Sequence, residues 1–257
     1  MPSLSVVPAL TAVGLFAGML ALLEAGRRLG ARRRARAAEE SDAGVGAMEG
    51  GVFALMGLLL AFTFSGAAGR LDTRRGQIVD EANAIGTAWL RIDLAPAAAQ
   101  PVLRDLFRRY VDSRIAFYGK MPDLAAARGD LDTSKKLQDE IWKTAVEATR
   151  ESPSTAFLLL PALNQMIDIT TTRLMASRMH PPSIVYFMMA IASLAGALLA
   201  GYGMAAAGHR RWLHALAFVA TTAMTVYVIL NLEYPRLGLV RFDSFDQVMV
   251  ELREGMQ

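Results

Sequence analysis

Four apolar stretches, separated by polar segments, form the main pattern of this chain. Each holds roughly 19 to 25 residues without Asp, Glu, Lys or Arg, the length that a helix needs to cross ~30 Å of hydrocarbon. The stretches are Leu4–Leu23, Gly50–Ala68, Ser183–Ala207 and Trp212–Leu232. The pattern therefore predicts an integral membrane protein with four transmembrane helices.

A long polar segment separates the second stretch from the third, and its apolar residues recur at helical spacing. The clearest helix is predicted over 100–118, where one face is apolar and the other is charged. Further helices are predicted over 133–150 and from an N-cap at Ser154, and Pro161 is expected to kink or restart the latter. The apolar run Phe157–Leu160 is too short to cross a bilayer, and we expect it in a buried core.

The chain is therefore expected to be all-α, with four transmembrane helices and a helical aqueous insert between spans two and three. The first helix has no basic residues before it and no cleavage site after it, so we expect it to stay as an anchor. The predicted parts are 1–69, the first transmembrane pair and its basic loop; 70–181, the insert; 182–232, the second transmembrane pair; and 233–257, a C-terminal tail.

Arginines next to the spans predict the orientation. Six of them follow the first span within about 15 residues, the zone in which Lys and Arg decide topology. They are Arg27, Arg28, Arg32, Arg33, Arg34 and Arg36. Two more, Arg210 and Arg211, lie between spans three and four. Both loops are expected in the cytoplasm, which places the N-terminus, the insert and the C-terminal tail in the periplasm, at the inner membrane of a bacterium.

Composition excludes several classes of function. The chain has 257 residues, a mean hydropathy of +0.30 and a formal net charge of +3, and its bases do not form a patch suited to nucleic acid. Cysteine is absent and the three histidines are scattered, so we expect no disulfide, thiolate catalysis or metal site. No phosphate loop or nucleophile motif occurs, and we expect neither a cofactor nor an enzyme.

The second span has no proline between Gly44 and Ala95, so one helix is predicted to continue from lipid into the insert. Apolar residues repeat along it every seventh position and form one apolar edge. Two interpretations are open: packing within the subunit, or lining of a central path between copies, with Phe62 or Phe64 as an apolar constriction. The candidate pore-lining residues are Gly57, Leu60, Phe62, Phe64, Leu71, Ile78 and Ile85.

A second candidate site is polar. Asp80, Glu81 and Asn83 lie beside the apolar edge, and Arg236 and Arg241 follow the fourth span on the same predicted side of the membrane. We expect Glu81 or Asp80 to pair with Arg236 and so to clamp the tail onto the long helix.

Two segments carry a family resemblance. One runs from Phe62-Thr-Phe-Ser-Gly through 80–94, and the other is Asn-Leu-Glu-Tyr-Pro-Arg-Leu-Gly-Leu-Val-Arg at 231–241. They resemble the bestrophin-like family of bacterial membrane proteins, and the order of two spans, a helical insert and two spans is similar over most of the chain. The more distant resemblance to bestrophins implies a homo-oligomer, a pentamer, that conducts anions, with Phe62 and Phe64 among the pore-lining residues.

Together these patterns favour an oligomeric ion channel for small anions, embedded in the lipid bilayer, with the second span lining the pore. The alternative is a non-conducting membrane scaffold whose helical insert binds a periplasmic partner. The oligomeric state separates the two, because only a ring of subunits places the second span on an axis.

Overall fold

The computed structural model describes residues 6–36, 43–121, 123–205, 212–235 and 243–256. Helices dominate these ranges and no strand occurs in them, so the predicted all-α fold is confirmed. The helices are α1 (Val7–Arg36), α2 (Ala43–Arg91), α3 (Gln100–Lys120), α4 (Leu124–Thr149), α5 (Pro153–Arg178), α6 (Ser183–Met204), α7 (Trp212–Glu233) and α8 (Asp243–Glu254), with a 3-10 turn at Ile92–Leu94.

Within the described residues, four segments are long and apolar enough to cross a bilayer, which confirms a multi-pass membrane fold. They fall within Val7–Ala35, Gly46–Leu94, Pro153–Met204 and Trp212–Glu233. The four apolar stretches predicted as spans correspond to parts of α1, α2, α6 and α7. Arg210 and Arg211, which the orientation prediction also uses, lie outside the described residues.

Helix α2 is long because nothing in its sequence stops it. It has 49 residues, and since none of them is proline, no interior amide is missing from the ladder of hydrogen bonds. The chain leaves the helix through the 3-10 turn, where the amide of Ala95 donates to the carbonyl of Ile92 at 2.9 Å, and Pro96 follows. The predicted continuous helix is confirmed.

The chain divides into two compact units. Unit 1 comprises Met1–Gly69 and His180–Val240, and unit 2 comprises Arg70–Met179 and Arg241–Gln257. The boundary falls inside α2, so this one helix contributes to both units. The tail helix α8 belongs to unit 2.

Unit 1 contains a very close contact between α1 and α6. Gly26 of α1 lies against the main chain of Leu198, and Gly201 of α6 lies against the main chain of Leu23. A Cβ atom at either glycine would overlap those main-chain atoms, so only glycine allows the two helices to approach this far. Gly18 of α1 lies next to Leu194 and Gly30 lies next to Tyr202, so the contacts advance in the same direction along both helices and α1 and α6 are parallel. The buried apolar core of this unit is Leu15, Met19, Leu23, Ala67, Met189, Ala197, Ala215, Val219, Val226 and Ile229.

Unit 2 is a helical bundle with one apolar core. Helices α3 and α5 contribute the stripes that their three- and four-residue spacing predicts, and the end of α2 and helix α4 complete the core. Its largest fully buried apolar members are Ile85, Ile92, Leu103, Phe107, Tyr110, Ile141, Leu159, Leu163 and Met166. Polar groups in the core are paired: Gln138 donates to the hydroxyl of Tyr110 at 3.1 Å, and the hydroxyls of Ser113 and Ser134 lie 2.8 Å apart.

Helix α4 begins earlier than the sequence predicted. The carboxylate of Asp123 accepts hydrogen bonds from the amides of Ala125 (3.1 Å) and Ala126 (3.0 Å), which starts the helix about nine residues before Thr133. Gly129 lies inside the helix with open space around it. An N-cap and a full turn of alanines outweigh the cost of one interior glycine, about 1 kcal/mol.

Helix α5 also differs in detail. Its N-cap is Ser152 rather than Ser154, because Pro153 takes the first helical position, which suits its fixed φ. Pro161 lies inside this one continuous helix, so the helix does not restart there, and a kink at Pro161 stays a prediction. The expectation that Phe157–Leu160 is buried is wrong in part: Leu159 faces the core, whereas Phe157 is 80 % exposed and Leu158 is also exposed.

Candidate functional site

The second span presents a broad uncovered surface. Phe62 is 69 % exposed and Phe64 is 42 % exposed; Gly57 is exposed as well, and Leu60 is half-buried. Leu55 and Leu58 extend this apolar surface toward the start of the helix. Of the four candidate spans, the one in α2 has the smallest buried share. These side chains therefore face either acyl chains or another protein surface.

The opposite side of the same span is a narrow stripe packed within unit 1. Met56, Thr63 and Ala67 are buried, and they recur at intervals of seven and four residues, which is one helical face. Thr63 satisfies its hydroxyl by donating to the carbonyl of Leu59 at 2.7 Å. Phe53 meets Phe218 of α7 edge to face, with ring centroids 5.7 Å apart. The span is thus anchored on one face and open on the rest.

The later positions of the apolar edge have a different environment. Leu71, Ile78 and Ile85 are buried within the chain, and Ile85 is part of the core of unit 2. A side chain covered by its own subunit is not available to line a path between subunits. For these three positions the burial favours the alternative interpretation, packing within the subunit, and leaves Gly57, Leu60, Phe62 and Phe64 as the candidates for pore lining.

The polar candidate residues on α2 differ in their exposure to solvent. Asp80 and Asn83 are exposed, whereas Glu81, one residue after Asp80, is completely buried. Arg236 and Arg241 lie outside the described residues, so the clamp between them and α2 stays a prediction.

Glu81 is the centre of a buried ionic cluster in unit 2. Its carboxylate accepts from Arg114 of α3, with Nε at 2.6 Å from Oε1 and Nη2 at 3.3 Å from Oε2, and it also accepts from Nη1 of Arg173 of α5. Both arginines are buried. The cluster therefore ties three helices together through one carboxylate, and it holds two positive charges against one negative charge.

Tyr118 completes the cluster. Its hydroxyl accepts from Nη2 of Arg114 at 2.5 Å and donates to Oε2 of Glu81 at 3.2 Å. The guanidinium of Arg173 lies 3.7 Å from the centre of its ring, and that of Arg114 lies 4.9 Å away. The π face of the tyrosine partly balances the second positive charge, because an aromatic face attracts cations.

The environment keeps these groups in fixed protonation states. Burial alone would lower the pKa of Arg114, but the Glu81 carboxylate outweighs that effect and raises it, so the guanidinium stays charged. Burial, together with the Glu81 carboxylate, raises the pKa of Tyr118, so the phenol stays protonated and remains a hydrogen-bond donor. The cluster is therefore a fixed structural element rather than an acid–base pair.

Sequence reasoning missed Arg114. The signal was present, since Arg114 continues the buried stripe of α3 that runs through Leu103, Phe107 and Tyr110 at three- and four-residue intervals. A charged residue on an apolar stripe requires a buried counter-charge. Glu81 was recognised as notable, but its partners are 33 and 92 residues away in sequence, and spacing along one helix does not reveal them.

The tail helix α8 is fixed to unit 2 by polar contacts with α3. Arg253 donates to both carboxylate oxygens of Asp112, at 2.8 and 3.1 Å, and Arg108 donates to the carbonyl of Met256 at 2.9 Å. These contacts hold the end of the chain on the bundle without using Arg236 or Arg241.

The start of α6 and the end of α7 meet within unit 1. The Nδ1 atom of His180 lies 2.9 Å from the carboxylate of the buried Glu233, and the imidazole stacks on the ring of Tyr234. In the part of the chain that the structure describes, no group of three or more His, Asp or Glu residues is arranged to bind a metal ion.

This arrangement defines an all-α, multi-pass membrane protein with a second helical unit built around a buried ionic cluster. A family model described as the Bestrophin-like domain matches residues 13–242, which is most of the chain. The chain therefore belongs to the bestrophin-like family, as its two diagnostic segments predicted. No curated protein and no solved structure matches it.

Proposed function

We propose that this protein is an oligomeric channel for small anions, with the second span lining the pore. The observation that carries the proposal is the uncovered face of α2, which includes Gly57, Phe62 and Phe64, in a chain of the bestrophin-like family. Proteins of the bestrophin family are generally anion channels rather than enzymes. A span anchored on one narrow stripe has enough free surface to contact both lipid and neighbouring subunits.

The proposed path uses an apolar constriction as its gate. The span from Gly50 to Ala68 has no ionisable side chain, so selectivity by a charged ring within it is ruled out. A ring of phenylalanines narrow enough to expel water blocks ions until it widens, which is gating by dewetting. Copies of Phe62 or Phe64 around an axis supply such a ring, while Gly57 allows close approach of neighbouring helices.

Assembly and placement belong to the same proposal. We propose a homo-oligomer, a pentamer by analogy with bestrophins, in the bacterial inner membrane. The arginines that follow the first span support a cytoplasmic loop at 24–49, with the N-terminus, unit 2 and the tail in the periplasm.

A non-conducting scaffold is the second candidate, and one observation favours it. Leu90, Leu94, Phe157 and Leu158 of unit 2 are exposed large apolar side chains, and Thr155 donates to the carbonyl of Leu94 at 3.1 Å, which brings two of these segments together. A soluble surface rarely keeps such a group uncovered unless a partner binds there. A chain that is monomeric in the membrane and carries no ion flux would support this alternative.

Replacing the gating phenylalanine should increase ion leak. With the purified chain in liposomes, Phe64→Ala or Phe62→Ala is expected to raise chloride efflux several-fold, because a smaller ring lets water persist in the constriction. Only the residue that faces the axis should have this effect, since the two side chains point in different directions on the helix. Phe157→Ala in unit 2 is the matched control and should leave the efflux unchanged. If neither the wild type nor either variant allows chloride efflux from the liposomes, the proposal is contradicted.

The absence of cysteine allows a direct test of the assembly. Single substitutions Gly57→Cys and Phe64→Cys place thiols on the uncovered face, whereas Met56→Cys places one on the stripe packed against the subunit itself. Mild oxidation in membranes is expected to give disulfide-linked dimers from at least one of the first two variants and none from the third, because only close pairs can be bridged. Equal dimer yields from all three, or none from any, would contradict a shared axis at α2.

A further inference from the structure

The ionic cluster around Glu81 contains an arginine whose hydrogen-bond donors are mostly unused. Arg173 is only 7 % exposed, and its Nη1 atom donates to Oε2 of Glu81. Within the part of the chain that the structure describes, its Nε and Nη2 atoms make no hydrogen bond. Buried donors are normally satisfied by protein groups, by water or by an ion, so this edge of the guanidinium requires a partner.

The cluster also carries an excess of positive charge. Arg114 and Arg173 both pair with Glu81, and over the described ranges neither forms an ion pair with another carboxylate. Because the phenol of Tyr118 stays protonated, the net charge of the cluster is 2 − 1 = +1. The tyrosine ring attracts the guanidinium of Arg173, but it has no formal charge. A buried charge without a counter-charge is costly, so the cluster favours one further negative charge.

The unused edge of Arg173 has a geometry suited to an anion. Nε and Nη2 lie on the same side of the planar guanidinium, so their N–H groups point in parallel, as they do when arginine binds an oxyanion through two hydrogen bonds. Glu81 occupies the other end of the group, at Nη1. Because so little of Arg173 is exposed, a small anion reaches it more readily than a bulky one.

A second carboxylate lies in the same unit, but it does not neutralise the cluster by direct contact. A cavity of about 250 Å³ between α3 and α8 is lined by Tyr118 and by Asp246, among other residues. As far as the described residues extend, Asp246 forms no ion pair with Arg114 or with Arg173. The missing negative charge must therefore come from a ligand.

We propose that Arg173 binds one small inorganic anion, of the class of chloride or nitrate, through its Nε and Nη2 atoms, and that Arg114 contributes its charge. Two observations carry this assignment: unused donors on a buried guanidinium, and a cluster whose positive charges exceed its negative ones. The bound anion neutralises the cluster and completes the junction of α2, α3 and α5. The site belongs to unit 2 and does not depend on whether the chain conducts ions.

The test compares the unfolding of unit 2 in two sodium salts. The full chain in detergent carries Trp212→Phe, so Trp89 and Trp142 report on unit 2 by fluorescence. Chloride and gluconate at equal concentration give the same ionic strength, but gluconate is too bulky for a buried site. A ligand that binds only the folded chain raises its unfolding midpoint, and we expect a saturable rise of about 5 °C or more in chloride.

Two variants of the cluster should respond in opposite directions. Arg173→Met removes the proposed donors and leaves Glu81 paired with Arg114, so its midpoint should be the same in both salts. Glu81→Gln removes the carboxylate that the two arginines share, so the difference between the salts should be larger than in the wild type. An arginine with a purely structural role would instead lower the midpoint equally in both salts.

Arg109→Met is the matched control, because it removes an exposed guanidinium from the same helix as Arg114. It should keep the wild-type difference between the salts. Equal wild-type midpoints in chloride and gluconate would overturn the proposal and assign the unused donors to water. An unchanged difference in Arg173→Met would overturn it too, since the anion would then bind elsewhere. If Arg173→Met does not fold, a difference in Glu81→Gln no larger than in the wild type decides against the site.

Discussion

Valine in place of Gly201 should prevent unit 1 from forming its native pair of α1 and α6. The new side chain would overlap the main chain of Leu23, and a main chain within a helix cannot move aside as a side chain does. Overpacking against side chains costs about 1–3 kcal/mol, and here the helices must separate along their whole contact, so we expect at least the upper end of that range. Gly26→Val should act in the same way, because it would meet the main chain of Leu198.

Gly14 provides the control for this prediction. It lies on the same helix α1, but apart from its own helix backbone no atom is within 4 Å of the position that its Cβ would take, so Gly14→Val should be tolerated. The measurement is the fraction of chain that stays monodisperse after solubilisation, together with the midpoint of thermal unfolding by circular dichroism. A Gly201→Val variant as stable as the Gly14→Val variant would show that the two helices do not approach this closely.

Removing the carboxylate of Glu81 should destabilise unit 2 by about 3–5 kcal/mol, the cost of leaving a buried charge without its partner. Glu81→Gln keeps the shape of the side chain but leaves Arg114 and Arg173 facing each other without a negative charge. For a unit of this size we expect a fall in the unfolding midpoint of roughly 10 °C or more. Trp89 and Trp142, both packed in or against the core of unit 2, report its unfolding by fluorescence in a Trp212→Phe background.

Two further variants make this prediction specific. Asp80→Asn removes a carboxylate one residue away on the exposed side of α2 and should change stability by less than about 0.5 kcal/mol. Glu81→Leu/Arg114→Leu/Arg173→Met removes all the charges and should be more stable than Glu81→Gln, because apolar groups in place of a complete buried cluster are often tolerated. If Glu81→Gln unfolds at the wild-type midpoint, the buried cluster does not exist in the folded chain.

Much of the fold follows from local pattern. The spans follow from the length of apolar runs, the stripe of α3 follows from its spacing, and the continuity of α2 follows from the absence of proline between Gly44 and Ala95. Each of these features depends on residues that belong to the same helix, so the sequence contains what is needed to predict it. The start of α4 was misplaced for a local reason too, since Asp123 was not recognised as its N-cap.

The candidate site was less predictable because it depends on which helices meet. The seven-residue repeat of α2 is equally compatible with an axis between subunits and with the core of one subunit, and the burial of Ile85 depends on helices that begin at Gln100 or later. The same holds for Glu81, whose two arginines come from α3 and α5. Periodicity identifies a face of a helix, whereas only the tertiary structure identifies what covers it.

The glycine contact between α1 and α6 also has a consequence for biosynthesis. Gly26 enters the membrane early, but its partner Gly201 is made 201 − 26 = 175 residues later. At a translation rate of about 5–20 residues per second, α1 must wait on the order of 10 to 35 seconds in the bilayer before α6 arrives. During that interval the glycine-lined groove of the nascent chain is open to lipids and to insertion factors, so this unit can close only after the segment that separates α1 from α6 in the sequence has been made.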